Sequence, residues 1–197
     1  MLKKKICMVG EFGVGKTSLV RRFVESLFDD RYLTTVGVKI DRKDVTVGSQ
    51  SVTLMLWDLA GEDELAPLKI SNLRGASGYI LVADGCRASS LAKAVELQQR
   101  LAEQLGPLPF VLVLNKADLR DQWEVQDAVV SEYGWPTFET SAKAGTGVEE
   151  MFLALATNSP RPKSIVLASE SPAPQSFLLN WNNPSRWLNM RSSLREA

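Results

Sequence analysis

Three glycines, a lysine and a threonine share the octet Gly10-Glu11-Phe12-Gly13-Val14-Gly15-Lys16-Thr17. Glycines at 10, 13 and 15 let a backbone approach anionic oxygens, and a helix opening there would present its positive N-terminal end. Lys16 adds a cation for the outer oxygens of a triphosphate, and Thr17 a hydroxyl suited to Mg²⁺. Gly13, Val14, Gly15, Lys16, Thr17 and the adjoining Ser18 are therefore expected phosphate contacts. This chemistry alone leaves ATPases, kinases and GTPases open.

Three more motifs follow in order: Asp58-Leu59-Ala60-Gly61, Asn115-Lys116-Ala117-Asp118 and Ser141-Ala142-Lys143. The first can sense a terminal phosphate. In the second, the Asp118 carboxylate can accept hydrogen bonds from the N1–H and 2-amino group of guanine, which adenine does not offer. A site built on that acceptor rejects adenine, because the carboxylate would be left unpaired. The stem of Lys116 can cover one face of the base, and the Ala142 N–H can meet the guanine O6. Asn115, Lys116, Asp118, Ser141, Ala142 and Lys143 are thus the expected surroundings of GTP or GDP.

The elements that position these motifs alternate in type. Residues 6–9 read as a buried strand and residues 16–26 as the helix opened by the glycine-rich loop. Residues 38–47 and 51–57 flank Gly48-Ser49-Gln50 as a hairpin. Strands are expected at 78–83, 110–114 and 137–139, and helices at 89–105, 124–132 and 148–156. The pattern implies an α/β fold whose mostly parallel six-stranded sheet has one antiparallel edge and helices on both faces. Ligands in such folds sit at the carboxyl ends of the strands, where all four motifs begin. Two irregular stretches, 28–37 and 58–74, interrupt the pattern.

Composition sets further bounds. The 197 residues carry 23 Lys+Arg against 23 Asp+Glu, so no overall field draws the chain to nucleic acid or to an anionic bilayer. There is no His, hence no imidazole base and no His-ligated metal. Cys7 and Cys86 each fall in a strand-like apolar run and are expected as buried reduced thiols. Neither a signal peptide nor a membrane span is legible, and the expectation is a cytoplasmic, monomeric protein. The composition shifts at 158: of the last 40 residues, 5 are Pro and 8 are Ser. Residues 1–157 are read as one domain and 158–197 as a flexible or partner-docking tail, interrupted by Trp181 and Trp187. The chain ends without a Cys, so no direct prenyl anchor is expected.

With these motifs in place, residues 4–157 resemble a Ras-superfamily small GTPase of Rab-like flavour, which implies that residues 1–157 form a P-loop NTPase G domain. The resemblance implies that Tyr32-Leu33-Thr34-Thr35-Val36-Gly37 and Leu56-Trp57-Asp58-Leu59-Ala60-Gly61-Glu62-Asp63-Glu64 are two switch segments, ordered by the γ-phosphate and Mg²⁺. It further implies that Phe28 packs against the guanine, and that Thr17, Thr35 and Asp58 hold Mg²⁺. Lys16, Thr35, Gly61 and Glu62 become the hydrolytic group, and effector, exchange-factor and activating proteins the partners.

Two residues depart from the family pattern. Glu62 stands where the family places the Gln that orients the attacking water; a carboxylate accepts hydrogen bonds but does not donate unless protonated. Phe12 stands where a small residue leaves room for an activator's arginine. Slow hydrolysis is expected, with Arg31 a candidate cis-acting cation and a nucleotide-loaded scaffold without hydrolysis the alternative.

Overall fold

The computed structural model describes residues 2–29, 34–62 and 67–157. Arg31, Tyr32, Leu33, Asp63, Glu64 and the tail lie outside the described residues.

Six strands form one sheet in the order β2-β3-β1-β4-β5-β6: β1 Leu2–Val9, β2 Val38–Val47, β3 Gln50–Leu59, β4 Gly78–Asp84, β5 Phe110–Asn115 and β6 Thr137–Thr140. Only the β2/β3 pair is antiparallel; every other pairing is parallel. The hairpin turns over two residues, with Val47 paired to Gln50 and Gly48 at φ 60°. Such a tight turn needs a positive φ at its first central residue, which glycine adopts without strain.

Both faces of the sheet are covered, so the central strands carry apolar runs whose side chains alternate between two cores. Ile6 and Met8 join Leu19, Phe23, Ile80, Val82 and Phe152 on the side of α1 (Lys16–Glu25) and α4 (Val148–Ala156). Cys7 and Val9 join Leu81, Leu97, Leu101 and Leu112 on the side of α2 (Ala88–Leu105). Phe23 and Phe152 stack at 4.2 Å between centroids, fixing α1 against α4.

Three expectations change. The first strand begins at Leu2, not at residue 6, so the Lys3-Lys4-Lys5 run is part of the sheet. Lys4 is buried there, and its ammonium donates to the carbonyls of Leu155 at 3.2 Å and Ala156 at 2.7 Å, a cation at the carboxyl end of α4. The helix expected from 124 begins at Asp127 as α3 (Asp127–Glu132), because the N–H groups of Glu124 and Val125 are drawn to the Gly85 carbonyl. Cys86 lies past the end of β4 and is only half-buried, because Asp84 ends the strand by accepting the Cys86 N–H at 3.0 Å.

Candidate guanine-nucleotide site

All four motifs emerge from the carboxyl edge of the sheet: the glycine-rich loop after β1, Asp58 one residue before the end of β3, Asn115 at the end of β5 and Ser141 after β6. They surround a cleft of about 320 Å³, a size typical of small-ligand sites. Its walls include Gly13, Gly15, Lys16, Thr17, Ser18, Phe28, Thr35, Gly61, Asn115, Lys116, Asp118, Ala142 and Lys143. Val14, Asp58, Glu62 and Ser141 stand behind these walls rather than on them.

The loop between β1 and α1 is shaped by close approach. Gly15 sits at φ 97°, and a Cβ there would lie 2.3 Å from the Asn115 amide nitrogen. Lys16 is buried, and its ammonium donates to the carbonyls of Gly10 at 3.1 Å and Glu11 at 2.9 Å. Burial pushes its pKa down to about 8, against the upward pull of Asp58 and Glu11. An arriving phosphate would supply the missing anion.

At the helix end of the cleft, Thr17 and Thr35 meet a single carboxylate. Thr17 Oγ1 lies 2.6 Å from Thr35 Oγ1 and donates to Asp58 Oδ2 at 2.6 Å; Thr35 Oγ1 lies 3.0 Å from the same oxygen. Asp58 is fully buried, and its Oδ1 has no hydrogen-bond partner among the described residues. Burial raises its pKa, although Thr17, Thr35 and the Lys16 and Lys39 cations all oppose that. The three expected metal ligands are therefore brought together from α1, the segment before β2, and β3.

The base end is braced by Asn115. Its amide donates to the Val14 carbonyl at 2.9 Å, and its oxygen accepts from Thr140 Oγ1 at 3.2 Å and the Ala142 N–H at 3.3 Å. The Ala142 N–H expected to meet guanine is thus engaged by Asn115. Ser141 Oγ donates to Asp118 Oδ1 at 2.6 Å and so aims that carboxylate. Lys116 takes a positive φ of 71°, and its ammonium pairs with the buried Asp84 at 2.7 Å.

Gly61 lies against the glycine-rich loop so closely that a Cβ would fall 2.5 Å from the Phe12 Cα. The next residue is stitched to that loop: the Glu62 N–H donates to the Gly10 carbonyl at 3.2 Å, and the Phe12 N–H to the Glu62 carbonyl at 3.1 Å. The Glu62 side chain turns elsewhere. It is 3% exposed, accepts the Leu68 N–H at 2.9 Å, pairs with Arg100, and lies 3.4 Å from the Lys93 ammonium. Burial pushes its pKa up, but the Leu68 N–H and Arg100, with Lys93, hold it below the ordinary Glu value. In this arrangement the Glu62 carboxylate is ion-paired and faces α2.

The Ras family's sequence model matches residues 5–161 of this chain. The chain belongs to the Ras family. It is 35% identical over 170 residues to the Ras-related protein RABG3f of Arabidopsis thaliana, covering 79% of this chain and 81% of that one. It is 33% identical over 157 residues to Rab-13 of Canis lupus familiaris, covering 77% of each. To Rab-7a of Dictyostelium discoideum it is 32% identical over 165 residues, covering 79% and 81%. This Rab-like small GTPase is a guanine-nucleotide-binding switch that hydrolyses GTP, with regulators and effectors as its partners in general terms. Among the described residues, no helix is long and apolar enough to cross a membrane.

Several residues of this GTPase site were not legible beforehand. Arg22, on α1, donates to the Ala142 carbonyl at 2.7 Å and to the Lys143 carbonyl, clamping the Ser-Ala-Lys loop from below. Asp84 joins Lys116 to Arg87, whose guanidinium reaches the Phe12 carbonyl at 3.2 Å. Trp123 covers Gly85 and donates from its indole to the Lys116 carbonyl at 3.0 Å. Each acts through a partner distant in sequence, and no local pattern marks it.

Proposed function

We propose that this Rab-like switch holds its nucleotide with Mg²⁺, through Thr17, Thr35 and Asp58, and turns GTP over slowly. The observation that carries this is the meeting of two hydroxyls on one buried carboxylate whose other oxygen is unpartnered among the described residues. An anion so buried calls for a cation, and hard oxygen donors suit Mg²⁺. Bound Mg²⁺ supplies charge neutralisation across the outer phosphates of the nucleotide.

The chain's own residues account for the rest of the proposal. Lys16 pairs the outer phosphates, the Gly61 N–H contacts the terminal one, and Thr35 brings the first switch segment to it. Asp118 reads guanine, Phe28 and the Lys116 stem flank the base, and Ser141 keeps Asp118 in place. Glu62, assigned to the hydrolytic group by resemblance, could orient water only after leaving Arg100. Phe12, 40% exposed at the mouth of the cleft, stands where an activator's arginine would pass. Those two features support slow turnover, and they also favour the second reading, a nucleotide-loaded scaffold. Residues 1–157 carry the switch; the two free thiols fit a reducing, cytoplasmic setting.

The test follows release of labelled GDP and single-turnover GTP cleavage with Mg²⁺ and with a chelator, in wild type and Asp58→Ala. Slow Mg²⁺-dependent cleavage, with chelator-sensitive retention lost in the variant, is expected. Retention indifferent to both would refute the metal assignment, and uncleaved GTP would select the scaffold.

A further inference from the structure

Glu62 is a buried anion placed under two cations from one helix. Lys93 and Arg100 are seven residues apart on α2, two turns along a single face. Glu62 Oε1 faces Lys93 at 3.4 Å, while Oε2 takes Arg100 and the Leu68 N–H. The cations remain about a third exposed, whereas the carboxylate is 3% exposed. Glu96, 3.0 Å from Lys93, competes for that ammonium, so Arg100 is the stronger hold.

The backbone of the same residue is fixed to the glycine-rich loop on both sides, by its N–H to Gly10 and its carbonyl from Phe12. In this arrangement the Glu62 backbone is held at the phosphate end of the cleft, and the direction of its side chain is set by separate contacts. Two cations and an amide hold that side chain on α2. Removing one partner of a buried ion pair is costly, so the arrangement resists spontaneous opening.

We infer that Arg100, assisted by Lys93, is a positioning residue that clamps Glu62 off the hydrolytic centre and thereby sets the rate of GTP cleavage. This rests on the reading of the cleft as a slow GTPase site. Released from the clamp, the carboxylate of Glu62 could accept a hydrogen bond from the attacking water, the one role its chemistry allows there.

The experiment measures single-turnover GTP cleavage by the full chain in wild type, Arg100→Gln, Arg100→Lys and Lys93→Gln, each also in a Glu62→Ala background. Melting of the GDP-loaded proteins is followed in parallel. Arg100→Gln should raise the rate by about tenfold, since misplacement of a catalytic group can cost about 10²-fold. Lys93→Gln should raise it less, and Arg100→Lys should restore the wild-type rate. None of the three should matter once Glu62 is Ala. Arg100→Gln should lower Tm by about 2–6 °C, and less when Glu62 is already absent. A rate unchanged by Arg100→Gln, or changed equally without Glu62, overturns the clamp while leaving the slow-GTPase reading intact. No cleavage by any variant overturns both.

Discussion

The Asn115 carboxamide donates to the Val14 carbonyl at 2.9 Å, so a residue of the base-reading motif holds the shape of the phosphate loop 101 residues earlier. The same side chain accepts from Thr140 and Ala142, tying three strand ends into one rim. The two halves of the nucleotide site are therefore mechanically one.

Asn115→Ala should remove all three bonds and leave the Val14 carbonyl and the Ala142 N–H without this partner. At about 1 kcal/mol each, with desolvation added, the loss is about 2–4 kcal/mol of stability. Urea unfolding of the GDP-loaded protein measures it, and faster GDP release should accompany it.

Asp118→Asn replaces a double acceptor with an amide that offers one acceptor and one donor. Hydrogen bonds to a charged group contribute about 1.5–3 kcal/mol each, so guanine affinity should fall by about 10²–10⁴-fold. Competition between GDP and xanthosine diphosphate reads this directly. Preference should shift toward xanthine, whose 2-oxo group complements an amide donor.

Acid should erase the contribution of Glu62 to stability. A carboxyl held below its unfolded pKa, about 4.3, stabilises the fold above that value and ceases to as pH falls through the folded one. Burial opposes the lowering, but the Leu68 N–H, Arg100 and Lys93 prevail. Wild type should therefore melt above Glu62→Gln at pH 7, and the gap should close as pH drops below about 4. A gap independent of pH would show that the ion pairs carry none of it.

Phe12 makes a prediction about partners. Its ring lines the cleft mouth and is exposed, while Gly61 packs on its backbone. Phe12→Gly together with Glu62→Gln should open the path for an arginine and restore a group that orients water. A Ras-type activating protein should then accelerate cleavage toward the about 10³–10⁵-fold that such an arginine provides, with wild type unresponsive. Equal rates with and without activator in the variant would show that the ring is not the obstruction.

Much of this arrangement was legible in the sequence because its signals are local. The glycine spacing at 10, 13 and 15, the alternating apolar runs and the order of the motifs give the sheet, the helices and the cleft. The register of β1 was read short because Lys3, Lys4 and Lys5 look like solvated charge. Their place in the sheet comes from parallel pairing with residues 53–55 of β3, and Lys4 is buried because its ammonium reaches carbonyls of α4, more than 150 residues away. Residue 62 shows the limit most clearly. Its type departs from the family pattern in plain view, yet where the carboxylate goes is decided by Lys93 and Arg100, residues that look like ordinary helix-surface charge. Arg22, Asp84 and Trp123 share that property, since each supports a loop that it does not adjoin in sequence.

The most direct test of the central claim loads nucleotide-free protein with GTP or ATP in Mg²⁺ and follows binding and single-turnover cleavage, with Lys16→Ala as the control. The account predicts at least about 10³-fold preference for GTP, slow conversion to GDP, and loss of both on removal of the Lys16 ammonium. Equal binding of ATP, or GTP binding and cleavage untouched by Lys16→Ala, would contradict it.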